Sequence, residues 1–410
     1  MTQQQPHLPL DYDVIVIGGG MVGASLACAL AGQTDKRIAV VEAFAFEDQA
    51  QPSFDDRSIA LSYGSARIWQ AMGLWDQLQP QIEAIKTIHV SDRGHLGATR
   101  LYHDEEGVEA LGYVAENRVM GRVLMQRVQQ LEQVDWLCPA SIEALQQFDD
   151  HVEASIRHQD QLRSLSCKLL VAADGAMSRA RELAGLDIDR HDYQQTAVIA
   201  NVQTEYPHNN VAYERFTDSG PLAFLPMTEG RCSVVWTVDN DDVDRVLGLS
   251  DEQFVEALQQ RFGFRLGHIL KSGTRQAYPL AYVEAQQLSR GRVVIIGNAA
   301  HALHPVSGQG YNLALRDVAE LAELIAGHGD PGHRLLLNDY HARRRKDMLR
   351  VYRITDSLVK IFSNDFPPLA HARAAGLVVM DLLPPLRHLM ARQSMGLLGR
   401  MSRMMRGMPL

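Results

Sequence analysis

Gly18, Gly20 and Gly23 stand in the spacing GxGxxG, directly after the apolar run Tyr12-Asp13-Val14-Ile15-Val16-Ile17. The first glycine permits a tight turn, the second lets backbone approach a pyrophosphate, and the third lets a helix pack closely on the strand. The N–H groups opening that helix then face the phosphates. A second apolar run, Arg37 to Val41, ends on Glu42, placed to accept from a ribose hydroxyl. Two later runs end in comparable turns. Cys167 to Ala173 breaks into Asp174-Gly175, with Ser178 and Arg181 placed to hold the loop. Val293 to Ile296 breaks into Gly297-Asn298 and reaches Gly308-Gln309-Gly310 and Asn312. Ligands of α/β sheets bind at the carboxyl ends of strands, where all three turns fall.

Other polar residues near these turns have chemistry of their own. Arg57 follows the dinucleotide unit, where a guanidinium pairs with phosphate or lies beside a planar ring, or else bridges Asp55 or Asp56. Asn117 and Arg122 open a helix expected from about Arg118 to Leu131, within reach of a phosphate or solvated. His301 and His304 are acid/base candidates or ordinary loop histidines. Gly308-Gln309-Gly310 gathers backbone N–H groups at a positive helix end, which suits the N1–C2=O edge of a reduced flavin. Asp174 has a plainer reading as the cap of the next helix.

The elements that must position these residues follow from pattern. Buried β-branched runs alternating with helices predict a parallel sheet around the three turns. Between them the texture changes. From Ile85 to Tyr113, and again from 196 to 238, short alternating stretches with glycine turns predict antiparallel strands. Tyr213, Phe216, Phe224 and Trp236 are candidates to line a pocket on that sheet, with Arg215 as its polar anchor. Ser250 and Gln253 have the spacing of a capping box before a helix ending near Phe262. Beyond Gly332 the chain reads as helical. Its last stretch, Met390 to Leu410, mixes Met, Leu and Gly with arginines and no acid, a lipid- or partner-facing surface or a frayed end.

At 410 residues the chain has room for more than one domain, and 46% hydrophobic with 22% charged residues is ordinary globular composition. A net charge of -9 argues against nucleic acid as a partner. Cys28, Cys138, Cys167 and Cys232 are scattered and lack metal-ligand spacing, so no metal site is expected and a reducing, cytoplasmic setting is. Met1 to Leu10 is polar and proline-containing, unlike a secretory leader. No run approaches the roughly 20 apolar residues of a bilayer span.

The fingerprint, the Asp-Gly turn and the Gly-Asn…Gly-Gln-Gly turn, in this order across nearly the whole chain, resemble the group A flavoprotein aromatic hydroxylases. Asn298 departs from that family, whose motif carries Asp there. Asp56-Arg57-Ser58-Ile59-Ala60-Leu61 and Ala299-Ala300-His301-Ala302-Leu303-His304-Pro305 are similar to its ubiquinone-biosynthesis branch. Within the branch, Val90 to His95, Glu214-Arg215-Phe216-Thr217 and Leu225-Pro226-Met227 most resemble the 2-octaprenyl-6-methoxyphenol hydroxylases. The resemblance implies an α/β fold like that of para-hydroxybenzoate hydroxylase. A Rossmann-like FAD-binding domain (1–84, 114–186, 276–330) is interleaved with an antiparallel β-sheet substrate domain (85–113, 187–275), followed by C-terminal helices (331–410).

It further implies FAD on Gly18, Gly20, Gly23, Glu42, Arg57, Asn117, Arg122, Asp174, Gly175, Asn298, Pro305, Gly308, Gln309, Gly310 and Asn312. The expected reaction uses O2 and a reductant such as NAD(P)H to hydroxylate a polyprenylated phenol. His304, Pro305 and Arg215 are the catalytic candidates, with Tyr278 a further phenol-activating one. Peripheral membrane contact, other proteins of the pathway and a second copy of the chain are the expected partners. A hydroxylase acting at another ring position and a non-catalytic FAD-bearing subunit are the alternatives. A halogenase of this architecture would carry Trp-x-Trp-x-Ile-Pro, and Trp69, Trp75, Trp136 and Trp236 form no such pair.

Overall fold

The computed structural model describes residues 10–45, 57–95, 97–304, 308–362 and 367–410, with backbone alone for 358–362 and 367–372. Pro305, Asp55 and Asp56 lie outside the described residues. The fingerprint strand, Tyr12–Ile17, sits centrally in an eight-stranded sheet. It pairs in parallel with Gln161–Ala172 on one side and Ile38–Val41 on the other. Val293–Ile295 and Val134–Leu137 extend the parallel set outward. Both faces are covered, so these strands are apolar without alternation, and Val14, Ile15 and Val16 are fully buried. The helix Met21–Ala31 is almost wholly buried because Gly23, Ala24, Ala27 and Ala31 let neighbouring elements close on every side. Antiparallel strands Ala140–Gln147 and Val152–His158 lengthen this sheet; their apolar/polar alternation was passed over in the sequence reading.

The second sheet has nine strands and is antiparallel except where Val211–Thr217 runs parallel to Thr87–Asp92. Side chains along its strands point alternately to two faces, and each face has its own use. Phe224, Val234 and Trp236 point toward the helix Asp251–Phe262, whose Phe254, Leu258 and Phe262 complete a buried cluster. Phe224 and Phe262 stack with centroids 3.8 Å apart. The expected capping box forms: the Ser250 hydroxyl accepts from Gln253 N, and the Gln253 side chain accepts from Ser250 N. Phe224 and Trp236 are therefore core, not pocket. The other face, with Ala212, Phe216, Ala223 and Val235, is turned toward the first sheet's turns.

Two expectations need correction. Gln276–Ala285, assigned to the FAD-binding segment, pairs antiparallel along Ile188–Thr204, because its alternating residues suit the second sheet. The chain rejoins the first sheet only at Ser289–Arg290 and Val293–Ile295. Nor is the C-terminus frayed. Met395, Ser402, Met404 and Met405 are buried, and Leu410 N donates to the Gln33 side chain at 2.5 Å. The exposed apolar surface lies earlier, on Pro367–Leu382 and Pro384–Ser394, which pack against Thr87–Asp92 and Ala98–Tyr102. Arg373 clamps the first of them by donating to Asp92 at 3.1 Å.

Candidate functional site

The three strand-end turns meet at one cavity of about 920 Å³, which continues onto the free face of the second sheet. The first turn is set by steric necessity. Gly18 has φ of +100°, and a Cβ there would lie 2.6 Å from the Ala173 carbonyl oxygen. A Cβ on Gly23 would lie 1.8 Å from the Gly18 carbonyl oxygen. Strand ends and helix start are thus in backbone contact, and only glycine fits. The helix Met21–Ala31 opens from Gly20 with no side-chain cap, leaving its first N–H groups toward the cavity.

The polar residues around this turn are largely held by the protein itself. Glu42 is buried and accepts from Gly19 N at 2.6 Å and Phe44 N at 2.8 Å. Its carboxylate braces the glycine loop, with lone pairs still facing the cavity. Asp174 accepts from the Ser178 hydroxyl and from Ala180 N at 3.1 Å, so it does cap the short helix Arg179–Leu183 while lining the cavity. Gly175, at φ of +86°, has nothing within 4 Å of a would-be Cβ. Arg181 does not bridge Asp174. It donates to the carbonyls of Ala176 and Ala299 at 3.0 Å each, tying the second turn to the third.

The third turn rests on a buried ion network. Asp317 accepts from Gly297 N at 2.9 Å, His301 at 2.6 Å and Arg344 at 2.6 Å. Burial raises the Asp317 carboxyl, but the opposing charges of His301 and Arg344 outweigh it and hold the group down at about 2. Arg344 also bonds Asp347 at 2.7 Å, and Arg316 reaches Asp347 at 3.1 Å. Sequence reading noted Asp317 after the Gly-Gln-Gly turn but gave it no role. Its position, seven residues after Gly310, gave no signal of its role under the turn. Asn298 is left exposed on the cavity wall.

The helix Gln309–Ala326 starts from Gly308 at φ of +59° and directs its first turn at the cavity. Asn312 locks that start in place. Its amide donates to Ala60 O at 2.8 Å and Gly308 O at 2.6 Å and accepts from Ser62 N at 2.8 Å. Arg57 lines the cavity with its guanidinium over the Tyr278 ring, 4.6 Å from the centroid. Asn117 lines the same wall from the start of Asn117–Val128, whereas Arg122 on that helix is exposed outside it. A solvated position on the outward helix face removes Arg122 from the site.

Two catalytic candidates are also misplaced. Arg215 is not on the cavity wall, since alternation along Val211–Thr217 turns it to the opposite face. Burial and the charges of Arg265 and Arg93 lower its pKa there. His304 is fully buried with its ring edge-on to Tyr193, centroids 5.1 Å apart, and burial pushes its imidazole down to about 4. Alternation brings Glu214 in place of Arg215. It lies on the cavity wall between Val90 and Ala223, and sequence reading had quoted it without giving it a role.

The arrangement is a deep cavity with backbone N–H groups and a ring-stacked arginine at one end and an apolar sheet at the other. It suits a long ligand carrying phosphates, next to an apolar one. A sequence profile of the family described as "FAD binding domain" matches residues 11–355. The chain is 39% identical over 407 residues to "Ubiquinone hydroxylase UbiL" of Rhodospirillum rubrum, covering 97% of this chain and 93% of that protein. It is 30% identical over 398 residues to "3-demethoxyubiquinol 3-hydroxylase" of Escherichia coli, covering 94% of this chain and 98% of that one. Among solved structures, p-nitrophenol 4-monooxygenase PnpA from Pseudomonas putida is similar in fold, with a TM-score of 0.78 at 22% identity over 96% of this chain and 100% of that chain.

Proposed function

From the premise that the chain belongs to the FAD-binding domain family and takes FAD as its cofactor, we propose that it is a monooxygenase hydroxylating the ring of a polyprenylated phenol in ubiquinone biosynthesis. The observation that carries this reading is the continuity of the cavity. One space joins the three turns to an apolar sheet face, as a reaction between a flavin and a greasy ring requires. Identity of 39% to a ubiquinone hydroxylase over almost the full length supports the substrate class.

The residues present fit FAD. Gly18 and Gly23 leave no room for side chains, and Gly20 opens the helix whose N–H groups suit a diphosphate. Glu42 would hold the ribose, with Arg57, Asn117, Asp174, Gly175 and Asn298 lining the cavity beyond it. Gly308, Gln309 and Gly310, with Asn312 as their brace, would offer helix N–H groups to the flavin. Bound FAD, reduced by NAD(P)H, supplies the activation of O2 and the oxygen atom inserted into the phenol ring. The chain's part is to hold both partners and exclude water, which the apolar face provides. Purified protein given FAD, NAD(P)H, O2 and a short-chain 2-prenyl-6-methoxyphenol is expected to yield a product heavier by one oxygen atom by mass spectrometry. Tight FAD without product on any prenylphenol favours a non-catalytic subunit. Oxygen at a different ring carbon reassigns the step, as the range of relatives allows.

The reading extends to a peripheral membrane contact. Among the described residues no single helix is long and apolar enough to cross a membrane. Val378, Val379, Leu382, Leu383, Leu386 and Leu389 are 41–71% exposed on two helices bent by 100°, and Met390 and Ser394 of the second line the cavity. That places an apolar ridge beside a route for a prenyl tail. Sedimentation with phospholipid vesicles is expected to carry the protein down, and Leu382→Glu with Leu386→Glu to leave it in solution. Equal sedimentation of the double variant removes the ridge from this role.

A further inference from the structure

One carboxylate interrupts the apolar sheet face, and no described residue answers it. The registers place Val90, Glu214, Ala223, Val235 and Ile199 in one row across five strands, all on the cavity wall. Four of the five are aliphatic. The rows on either side bring Ile88, Ala212 and Leu225, and Phe216, Pro221 and Ala197, to the cavity, with Thr237 and Tyr278 as the polar residues lining it there; Asp92, Ser233 and Asn201 belong to the same rows off the cavity wall. Among the described residues the Glu214 side chain has neither a hydrogen bond nor an ion pair, and burial is the one influence acting on its carboxyl. An unpartnered carboxyl in an apolar wall is destabilising unless a ligand supplies the partner.

Among the described residues, the charged neighbours are engaged elsewhere. On its own strand, Arg215 points to the other face, toward Arg93 and Arg265. On Thr87–Asp92, His89 lies on that other face against Tyr213, while Asp92 shares the Glu214 face and is paired with Arg373 at 3.1 Å. Gly220–Pro226 on the other flank has no titratable side chain. The helix Pro367–Leu382 packs Leu377 against Val90 and Phe216, and its Asp381 accepts from Arg100 N at 3.0 Å.

We propose that Glu214 is the catalytic residue that receives the substrate's ring hydroxyl, accepting its O–H bond and taking its proton as oxygen is inserted. This rests on the reading of the site as a phenol hydroxylase. In the step, the phenol O–H bond breaks, an O–H bond forms on a Glu214 oxygen, and the electron pair stays on the phenolate oxygen. Electron density rises at the ring carbons ortho and para to it, where the oxygen atom drawn from O2 is added. As the oxygenated carbon then loses its hydrogen as a proton, which leaves with the second oxygen atom of O2 as water, Glu214 returns its own proton to the ring oxygen and aromaticity is restored. Burial pushes the Glu214 carboxyl up to about 7. A group in that range takes up and gives back a proton near neutral pH.

The test uses FAD-loaded protein and two probes, 2-geranyl-6-methoxyphenol and its O-methyl ether, with binding followed by the flavin absorbance change. Wild type is expected to bind the phenol roughly tenfold or more tighter than the ether, the range of a hydrogen bond to a charged group. Glu214→Leu is expected to bind both alike, since leucine suits the apolar wall and leaves FAD content unchanged. Glu214→Gln, which keeps an acceptor but no base, is expected to retain most of the discrimination while kcat falls roughly 10²-fold or more with little change in KM. Discrimination that survives in Glu214→Leu overturns the assignment. So does a Glu214→Gln enzyme of wild-type kcat. Wild type that hydroxylates the phenol yet binds phenol and ether equally overturns Glu214 alone and leaves the hydroxylase reading standing. Wild type that neither binds nor oxidises the phenol removes both.

Discussion

The two ends of the cavity are built on opposite terms. At the cofactor end, polar side chains are already engaged: Glu42 holds the glycine loop, Asp174 caps a helix, Asn312 makes three hydrogen bonds, and Asp317 holds Gly297, His301 and Arg344. What faces the ligand there is chiefly backbone, positioned by side chains behind it. On the sheet face the relation is reversed. The backbone is consumed by strand pairing, the wall is largely aliphatic, and the carboxylate on it, Glu214, has no partner among the described residues. A backbone site recognises what is invariant, as a cofactor is. A lone side chain on a greasy wall recognises one group of a substrate, and it is free to differ between enzymes of one fold.

The sharpest way to break the cofactor end is through its glycines. Gly23→Val is expected to yield no soluble FAD-loaded protein, because its Cβ would sit 1.8 Å from Gly18 O with backbone on both sides. A yellow, stable Gly23→Val protein, read by absorbance after gel filtration, would mean the strand and helix need not touch. Next in size is the network beneath the third turn. Asp317→Asn leaves Asp347 as the remaining acid for the buried Arg344 and Arg316, and is expected to cost about 3–5 kcal/mol in urea unfolding. The pH dependence has a definite sign. The native Asp317 carboxyl is held at about 2, below its ordinary 3.8, so wild type has the extra stability above pH 3.8 and loses it as pH falls through 2. The gap between wild type and Asp317→Asn should therefore shrink on acidification. A constant gap would show that the network does not act through its charge.

The cofactor end was legible in the sequence for the same reason it is rigid. Steric demands select glycine at Gly18 and Gly23, and buried parallel strands are apolar runs, so type and spacing report them directly. The second sheet was legible as alternation, but alternation does not say which face is the pocket. Phe224 and Trp236 were read as pocket candidates and lie in the core against Asp251–Phe262. Arg215 was read as the anchor, and its neighbour Glu214 has that wall. A shift of one residue exchanges the faces, and only the position of a helix some 30 residues further on decides between them. Gln276–Ala285 was misassigned because its alternation marks a strand but does not say which sheet it joins; its partner Ile188–Thr204 lies far back in the chain. Asp317, inside an apolar helical stripe, is identified only by what lies above it.

The smallest expected effect tests the sheet end most directly. With the Glu214 carboxyl raised to about 7 in the native state and near 4.5 when unfolded, the folded protein binds the extra proton between those values. Stability of the substrate-free enzyme then falls as pH rises from 4.5 to 7 and levels off above. Glu214→Leu removes that term. Its melting temperature should match wild type most closely below pH 4.5, gain on it through the window, and stay ahead by roughly 1–2 °C above pH 7. Other groups titrate in both proteins and cancel in the difference, so the shape of the difference curve is the readout. A flat difference would mean that Glu214 finds a partner in the free enzyme. The sheet end would then be satisfied from within, as the cofactor end is, and the contrast between the two would disappear.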